Sequence, residues 1–349
     1  MTYFEVHDEL RSVASDLLSK GDTAVDWPLL TQAGWIGLEV PEESGGAGVT
    51  FAEVAIILEQ MGRAATRSAY LGGAVLGVGT LTALQPSASR DGLLADVASG
   101  AVRTAVVLDG LRLAGNRLSG HATFVPDADG ADRLLAIADD SDGIPVVVAA
   151  DNVTVTPQPV LDETRSLAEV TAEDVAVKEV WRFDGAAADQ VRRLHDRAAV
   201  AVACDSLGLA EAMLTATVDY AKVRQQFGRP IGSFQAVKHA CADMLVRVCV
   251  ARQLVNAAVA ALADARDASA AASMAKSYAC AAAVDVVGKA MQLHGGIGYT
   301  WESGIHVYLK RALLNRSLFG SPAEHRRQLA KRYSSRETPF RTRYAEGTH

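Results

Sequence analysis

The sequence predicts a mixed α and β protein, mainly helical, with three domains in succession. Apolar residues recur at spacings of three and four over the first hundred residues and again from about residue 187, which is typical of amphipathic helices. Residues 100 to 185 instead carry short β-branched runs separated by Asp-Gly turns, which predict strands. Because the strands are grouped between helical blocks and do not alternate with them, a parallel Rossmann sheet is disfavoured.

The change from helical spacing to strand spacing and back predicts where each domain begins and ends. We expect an N-terminal helical domain over residues 1–98, a middle β-domain over 99–186, a C-terminal helical bundle over 187–332 and a polar tail over 333–349. The run LGGAVLGVGT at 71–80 lacks the GxGxxG pattern and follows no strand, so it predicts close helix packing and not a phosphate loop. One apolar stripe is predicted on the second long C-terminal helix, formed by Phe234, Val237, Cys241, Leu245, Val248 and Val255.

Composition excludes several classes of function. A formal net charge of −7 disfavours nucleic acid as a partner, since phosphate binding needs a clustered basic face. The N-terminus has no signal-peptide pattern, and uninterrupted apolar runs are far shorter than the roughly 20 residues of a membrane span, so we expect a cytoplasmic protein with no membrane helix. Four scattered cysteines and dispersed histidines predict neither disulfides nor a metal site.

Two motifs carry the chemistry. RQQFGRPIGSFQAVKH runs from Arg224 to His239, and QLHGGIGYTWE runs from Gln292 to Glu302. A guanidinium can bridge pyrophosphate oxygens, an aromatic ring offers a packing face, and paired glycines let a backbone approach a ligand closely. The alternative is a purely structural role, in which Arg224 favourably ends a helix and Gly228 with Pro230 makes a turn.

These motifs, in the order helices, strands, helices, resemble the acyl-CoA dehydrogenase family over nearly the whole chain. The resemblance implies the family fold, with a helical domain, a β-domain and a four-helix bundle, and FAD as cofactor. It also implies that the chain contacts the FAD of a neighbouring subunit through these residues: Arg224, Gln226, Phe227, Phe234, Gln235, Gln292, Gly295 and Gly296.

The sequence departs from the family where a catalytic glutamate is expected. One group of members carries this base in a turn after the glycine-rich motif, which corresponds to Gly320 here, and another carries it 26 residues before the arginine, which corresponds to Ala198. Neither residue accepts a proton, so no catalytic residue is predicted in this chain. Asp205 lies about 10 Å further along the helix, which is too far for it to substitute, and is predicted to be a buried or interface polar group.

The flavin-binding segments of the β-domain depart too. No TEPxxGSD-like segment is found near residues 105 to 115, and the expected Trp-Ile-Thr is replaced by Phe124, Val125 and Pro126. The chain therefore resembles the short, glutamate-lacking subunit of actinobacterial steroid-CoA dehydrogenases, which are heterotetramers with two copies of each subunit. The resemblance implies α,β-desaturation of a bulky acyl-CoA, with electrons leaving through an electron-transfer flavoprotein and the base supplied by a glutamate-bearing partner.

Two alternatives stay open at this point. A self-sufficient homo-oligomeric dehydrogenase would need a relocated base, with Glu302 or Glu324 as candidates, although each is better interpreted as a surface acid. A non-catalytic scaffold or regulatory subunit would bind a partner but no cofactor. Nothing in the sequence identifies the acyl chain or the sterol.

Overall fold

The computed structural model describes residues 3–19 and 24–334, and its first part is helical. The helix Phe51–Arg63 is almost wholly buried and begins with a capping box. In this box the Thr50 side chain accepts from the Ala52 N–H, and the Glu53 carboxylate accepts from the Thr50 N–H. The N-terminal helices are α1 (Tyr3–Ser19), α2 (Trp27–Gln32), α3 (Phe51–Arg63), α4 (Val78–Thr82) and α5 (Ala88–Ala98).

The glycine-rich run before α4 is a π-helical segment, Leu71–Gly77, buried throughout. A Cβ added to Gly77 would lie 2.0 Å from Thr104 Oγ1, and one added to Gly72 would lie 2.6 Å from the Pro126 carbonyl oxygen. The prediction that these glycines serve close packing is confirmed. The partner was wrong for these two, because they pack against strand residues of the β-domain and not against helices.

The middle of the chain forms one seven-stranded sheet in the order β5-β6-β2-β1-β3-β4-β7. Only β1 and β3 pair in parallel among the described strands of this sheet. Successive residues of a strand face opposite sides, so Val106 joins the main helical core while Val107 joins a second core within the β-domain. The strands are β1 (Thr104–Ala114), β2 (Arg117–Pro126), β3 (Arg133–Asp139), β4 (Pro145–Ala149), β5 (Thr154–Pro157), β6 (Leu167–Ala176) and β7 (Val180–Trp181).

The last part returns to helices, as predicted. Its elements are α6 (Ala187–Val223), the hairpin strands β8 (Gln225–Gln226) and β9 (Arg229–Pro230), α7 (Gln235–Ala263), α8 (Ser269–His294), α9 (Ile305–Ser317) and α10 (Pro322–Ser334). Helix α6 is the axis of the bundle, and its middle is buried by α3, α8 and α9. Helix α10 extends two residues into the predicted polar tail, whose remainder, 335–349, lies outside the described residues. The domain boundaries given above stay a prediction.

The predicted apolar stripe of α7 is only partly right. Val248 and Val255 are buried, but Leu245 is 52% exposed, and Met244 takes its place in the core. Helix α7 is apolar on more than one side, so spacing alone did not identify the packed face. Its outer side exposes Leu245, Val246 and Val250.

Two of the described helices, α6 and α7, are long and apolar enough to cross a membrane by length and composition alone. The apolar window of α6 is 78% buried inside the protein, as expected of a core helix, whereas that of α7 is 28% buried. Counting uninterrupted apolar runs overlooked both helices because single charged residues divide them. The side of α7 that carries Leu245, Val246 and Val250 is therefore an exposed apolar surface.

A buried ion network joins the three parts of the chain. The Asp205 carboxylate on α6 accepts from the Arg311 guanidinium, with Nε–Oδ2 at 3.0 Å, and from the Asn315 side-chain amide, both on α9. The Nη2 atom of Arg165, in the loop before β6, lies 3.3 Å from Oδ1 of Asp205. Burial raises the pKa of Asp205, but the charges of the two arginines outweigh it and lower the pKa below its usual value. The prediction that Asp205 is a buried polar group is confirmed.

Candidate functional site

The arginine motif forms a hairpin that protrudes from the end of α6. Strands β8 and β9 pair through a two-residue turn at Phe227 and Gly228, whose φ angles are 53° and 74°. Two positive φ angles are the geometry of a type I′ turn, which normally favours Asn or Gly at the first position. A bulky residue there is strained, and such strain is concentrated at functional sites. The Phe227 side chain is 91% exposed, so burial within the described part of the chain does not explain it.

The main chain of Arg224 is fixed while its side chain is free. Its N–H donates to the Tyr220 carbonyl and its carbonyl accepts from the Ile231 N–H, both at 2.8 Å. Within the described part of the chain, no ion pair or hydrogen bond engages its exposed guanidinium. An arginine with a fixed backbone and unused donors is suited to bind an external anion.

An aromatic cluster supports the hairpin from the side of α7. The Phe234 ring meets the Phe227 ring edge-on with centroids 6.1 Å apart, and the Arg229 guanidinium lies 4.1 Å from the Phe234 centroid. Gln226 and Gln235 are exposed on either side of it. The structure therefore brings the predicted residues of this motif onto one surface.

The second motif lies at the end of α8 and is open to approach by a ligand. Gln292, Gly295 and Gly296 are all exposed. A Cβ added to either glycine would meet nothing within 4 Å, so neither is required by contacts within the chain. Gly295 has φ +66°, which explains glycine there, but Gly296 has no positive φ to explain it. Space that a single Cβ would fill fits a ligand that passes close to the backbone.

Contacts between Tyr220 and His294 join the two motifs. Tyr220 lies one turn before Arg224 on α6, and His294 immediately precedes Gly295. Their rings stack with centroids 4.4 Å apart and planes 19° apart, and the Tyr220 hydroxyl donates to the His294 carbonyl at 3.4 Å. The site therefore combines a free guanidinium, an exposed aromatic ring, amide side chains and a bare glycine backbone, which together fit a dinucleotide pyrophosphate.

A separate cleft of about 720 Å³ opens where the sheet meets the C-terminal helices. Val106, Leu108 and Val125 line it from the sheet, and Leu314 and Leu318 line it from the helical side. Its rim carries His121 beside Glu169, and Asp109 beside His195. Pro126 also lines the cleft and has no N–H to donate.

The His195–Asp109 pair spans the cleft from α6 to β1. Nε2 of His195 lies 3.3 Å from Oδ1 of Asp109. The hydrogen bond to Asp109 raises the pKa of His195, and burial opposes it only in part. Sequence reasoning missed this pair because the two residues are far apart along the chain and no local motif surrounds either.

The fold can be placed among known proteins. Profiles of the acyl-CoA dehydrogenase N-terminal and C-terminal domains match residues 6–101 and 187–334, which together make up more than half of the chain. The chain belongs to the acyl-CoA dehydrogenase family. As a member of this family it is a chain of an oxidoreductase that acts on acyl-CoA, and the family implies FAD as cofactor.

Individual acyl-CoA dehydrogenases match over most of their length. "Acyl-CoA dehydrogenase IpdE2" of Mycolicibacterium smegmatis is 36% identical over 304 residues, which cover 87% of this chain and 86% of that protein. A chain of the Tcur3481-Tcur3483 steroid acyl-CoA dehydrogenase has a TM-score of 0.85 at 27% identity, covering 96% of this chain and 99% of that one. A chain of the ChsE4-ChsE5 complex from Mycobacterium tuberculosis has a TM-score of 0.84 at 26% identity, covering 97% and 99%.

The two positions that correspond to a base in the family hold a buried alanine and a glycine with a positive φ angle. Ala198 is fully buried in the core of α6 and does not line the cleft. Gly320 does line it, but at φ +94°, a conformation that L side chains rarely adopt, and a Cβ there would lie 3.0 Å from His325 Nε2. The Lys276 ammonium holds this turn by donating to the carbonyls of Asn315, Arg316 and Gly320. That this chain carries no catalytic glutamate stays a prediction.

The two candidate relocated bases are surface acids in the structure. The Glu302 carboxylate is exposed and lies outside the cleft lining. Glu324 borders the cleft, but its carboxylate accepts from the Ser321 N–H at 2.6 Å and so caps the N-terminus of α10. Those hydrogen bonds lower the pKa of Glu324 and thus its strength as a base.

Proposed function

We propose that this chain is the glutamate-lacking subunit of an FAD-dependent, hetero-oligomeric acyl-CoA dehydrogenase that desaturates a bulky acyl-CoA between its α and β carbons. One observation carries the proposal: the surface that would contact FAD is exposed and open, whereas the two positions that correspond to the base hold Ala198 and Gly320, which carry no carboxylate. Half of an active site is present on the outside of the chain, so the other half belongs to a partner.

In the assembled enzyme, Arg224 would bind the pyrophosphate of the partner's FAD. Gln226 and Gln235 would donate to the dinucleotide, Phe227 would pack against it, and the backbone at Gly295 and Gly296 would lie along it. Bound FAD supplies the acceptor for the hydride that leaves the β-carbon of the substrate. The glutamate of the partner would remove the α-proton, because Ala198 and Gly320 occupy the positions of the base in this chain.

Composition of related assemblies and the open side of α7 support a partner subunit. The ChsE4-ChsE5 and Tcur3481-Tcur3483 structures are each named for two different proteins, and the second is named as a steroid enzyme. Leu245, Val246 and Val250 leave an apolar helix surface that a subunit would cover. We infer a cytoplasmic heterotetramer with two copies of each subunit, a steroid side-chain CoA thioester as substrate and an electron-transfer flavoprotein as electron acceptor.

The test is to express the chain alone and with a glutamate-bearing acyl-CoA dehydrogenase encoded beside it, and to measure flavin by absorbance after purification. We expect flavin only in the co-expressed complex. A stable homo-oligomer with one FAD per chain would refute the proposal in favour of the self-sufficient enzyme. A complex that forms but gains no flavin and no acyl-CoA oxidation would favour the scaffold.

Arg224→Ala in the complex tests the half-site directly. Loss of a charge-assisted hydrogen bond of about 1.5–3 kcal/mol weakens FAD affinity about 10- to 150-fold. Arg247→Ala is the matched control, since Arg247 is also an exposed arginine of the helical domain but pairs with Asp285 at 2.9 Å. Unchanged FAD affinity together with a lower melting temperature for Arg224→Ala would mean that this arginine only ends α6.

A further inference from the structure

We propose that Tyr220 and His294 are positioning residues that hold the two FAD-contacting motifs in a fixed relation, an inference that rests on the proposed half-site. Neither residue would touch the cofactor. Tyr220 lies on α6, one turn before the arginine motif, and His294 lies at the end of α8, between Gln292 and Gly295 of the glycine motif. Their contact is therefore the point at which the arginine hairpin and the glycine turn are brought into one surface.

Each motif is attached firmly to its own helix. A Cβ on Gly232 would lie 2.9 Å from the Ala221 carbonyl oxygen, and one on Gly298 would lie 2.4 Å from the Met291 carbonyl oxygen. These close approaches fix the hairpin to α6 and the glycine turn to α8. They do not fix one motif relative to the other.

Helices α6 and α8 pack along their length, and the stacked pair joins the motifs at the ends of these helices. In the described part of the chain, the ring stack and the Tyr220 hydroxyl are the ring contact and hydrogen bond that join segments 220–235 and 290–304. The His294 ring is held from a second side, because its Nδ1 lies 2.8 Å from the Ala290 carbonyl oxygen. A carbonyl only accepts, so Nδ1 carries a proton there. The imidazole is thus oriented before the tyrosine packs on it.

The position of the Arg224 backbone depends on Tyr220. Its N–H donates to the Tyr220 carbonyl at 2.8 Å, so a movement of Tyr220 moves the anchor of the guanidinium. A dinucleotide that spans both motifs would lose contacts with one whenever the two ends shift apart. Misplacement of about 1 Å is enough to weaken such a site.

The experiment measures the FAD dissociation constant of the complex with its glutamate-bearing partner, after removal and titration of the flavin. Tyr220→Leu and His294→Leu should each weaken FAD binding about 3- to 10-fold, the range expected for one aromatic pair. Tyr220→Phe keeps the ring and loses one long hydrogen bond, so it should stay within about 2-fold of wild type. His294→Phe keeps the stack but loses the Nδ1 hydrogen bond to Ala290, so its loss should lie between that of Tyr220→Phe and that of His294→Leu.

Tyr308→Leu is the matched control. Tyr308 is a half-buried tyrosine of the same domain whose hydroxyl also donates to a backbone carbonyl, that of Arg63 at 2.9 Å. It should lower the melting temperature without changing FAD affinity. The double variant of Tyr220→Leu with Arg224→Ala should lose less than the product of the two single effects, because both act through the same guanidinium.

The outcomes separate the two proposals. If Arg224→Ala weakens FAD binding but Tyr220→Leu and His294→Leu only lower the melting temperature, as Tyr308→Leu does, the positioning role is refuted and the half-site stands. Strictly multiplicative effects of Tyr220→Leu and Arg224→Ala would refute it as well. If no substitution at Arg224 changes FAD affinity, the half-site fails and the positioning role fails with it.

Discussion

Removal of the Asp205 charge should destabilise the whole protein, because among the described residues this carboxylate forms ion pairs with both buried arginines at the junction of α6, α9 and the loop before β6. Its side chain is 1% exposed, and those of Arg311 and Arg165 are 2% and 7% exposed. Asp205→Asn preserves shape but removes the carboxylate that pairs directly with both guanidiniums, which leaves them the charges of the buried Asp127 and Asp162. Breaking one buried pair costs about 3–5 kcal/mol.

At about 2–4 °C per kcal/mol, this cost corresponds to a melting temperature lower by about 6 °C or more. The assay is thermal unfolding of the chain in its complex, with Asp285→Asn as control, since the Arg247–Asp285 pair is roughly half exposed and such pairs contribute about 0–1 kcal/mol. Equal effects of the two variants would refute the reasoning. Because the folded-state pKa of Asp205 is lowered, the stability that it contributes is present above the unfolded value of 3.8 and is lost as pH falls through the folded pKa.

Three further outcomes are expected. Glu302→Gln and Glu324→Gln should each leave turnover of the complex within a few-fold of wild type, whereas neutralising the partner's glutamate should cost about 10²–10⁴-fold in kcat; a hundredfold loss with either variant would identify a relocated base. Because the pKa of His195 is raised, its pair with Asp109 stabilises the fold fully below the unfolded value of 6.5, and this stability is lost as pH rises through the folded pKa. His195→Gln should therefore reduce the dependence of the melting temperature on pH between pH 6 and pH 9. An unchanged pH dependence would show that this pair does not contribute to stability. Lys276→Met should cost about 2 kcal/mol or more in denaturant unfolding, because three carbonyls, of which that of Asn315 belongs to a buried residue, lose their buried donor. A loss below about 0.5 kcal/mol would show that water replaces the amine.

Local patterns and spacing were enough to predict the order of the domains and the surface position of the FAD motifs. A hairpin at Phe227 and Gly228 and an open glycine turn at Gly295 are short-range features, and their residues lie next to each other in the sequence. The buried position of Asp205 was also predicted correctly, because its distance from Ala198 follows from counting residues along a single helix, α6. Each of these inferences depends on a single helix or turn.

Features that depend on several elements were not predictable in the same way. Asp109 and His195 approach across the cleft only because α6 packs against β1, and Lys276 reaches the Gly320 turn only because α8 packs against α9. The buried side of α7 was misjudged because Leu245 and Met244 are equally apolar, and the choice between them is made by the neighbouring helices. Hydrophobicity selects a helix for burial, but tertiary packing selects the side.

The proposed absence of a base involves the backbone as well as the side chains. A glutamate at Ala198 would place a carboxylate in a fully buried position, where an unpaired charge is costly. A glutamate at Gly320 would need an L residue at φ +94° in a turn that Lys276 holds through the Gly320 carbonyl. Restoring the carboxylate therefore requires the turn or the core to be rebuilt, which one substitution does not achieve. Arg224 and Gly296, in contrast, lie on a surface that no contact among the described residues explains. This combination supports the proposal that the chain completes the site of another subunit.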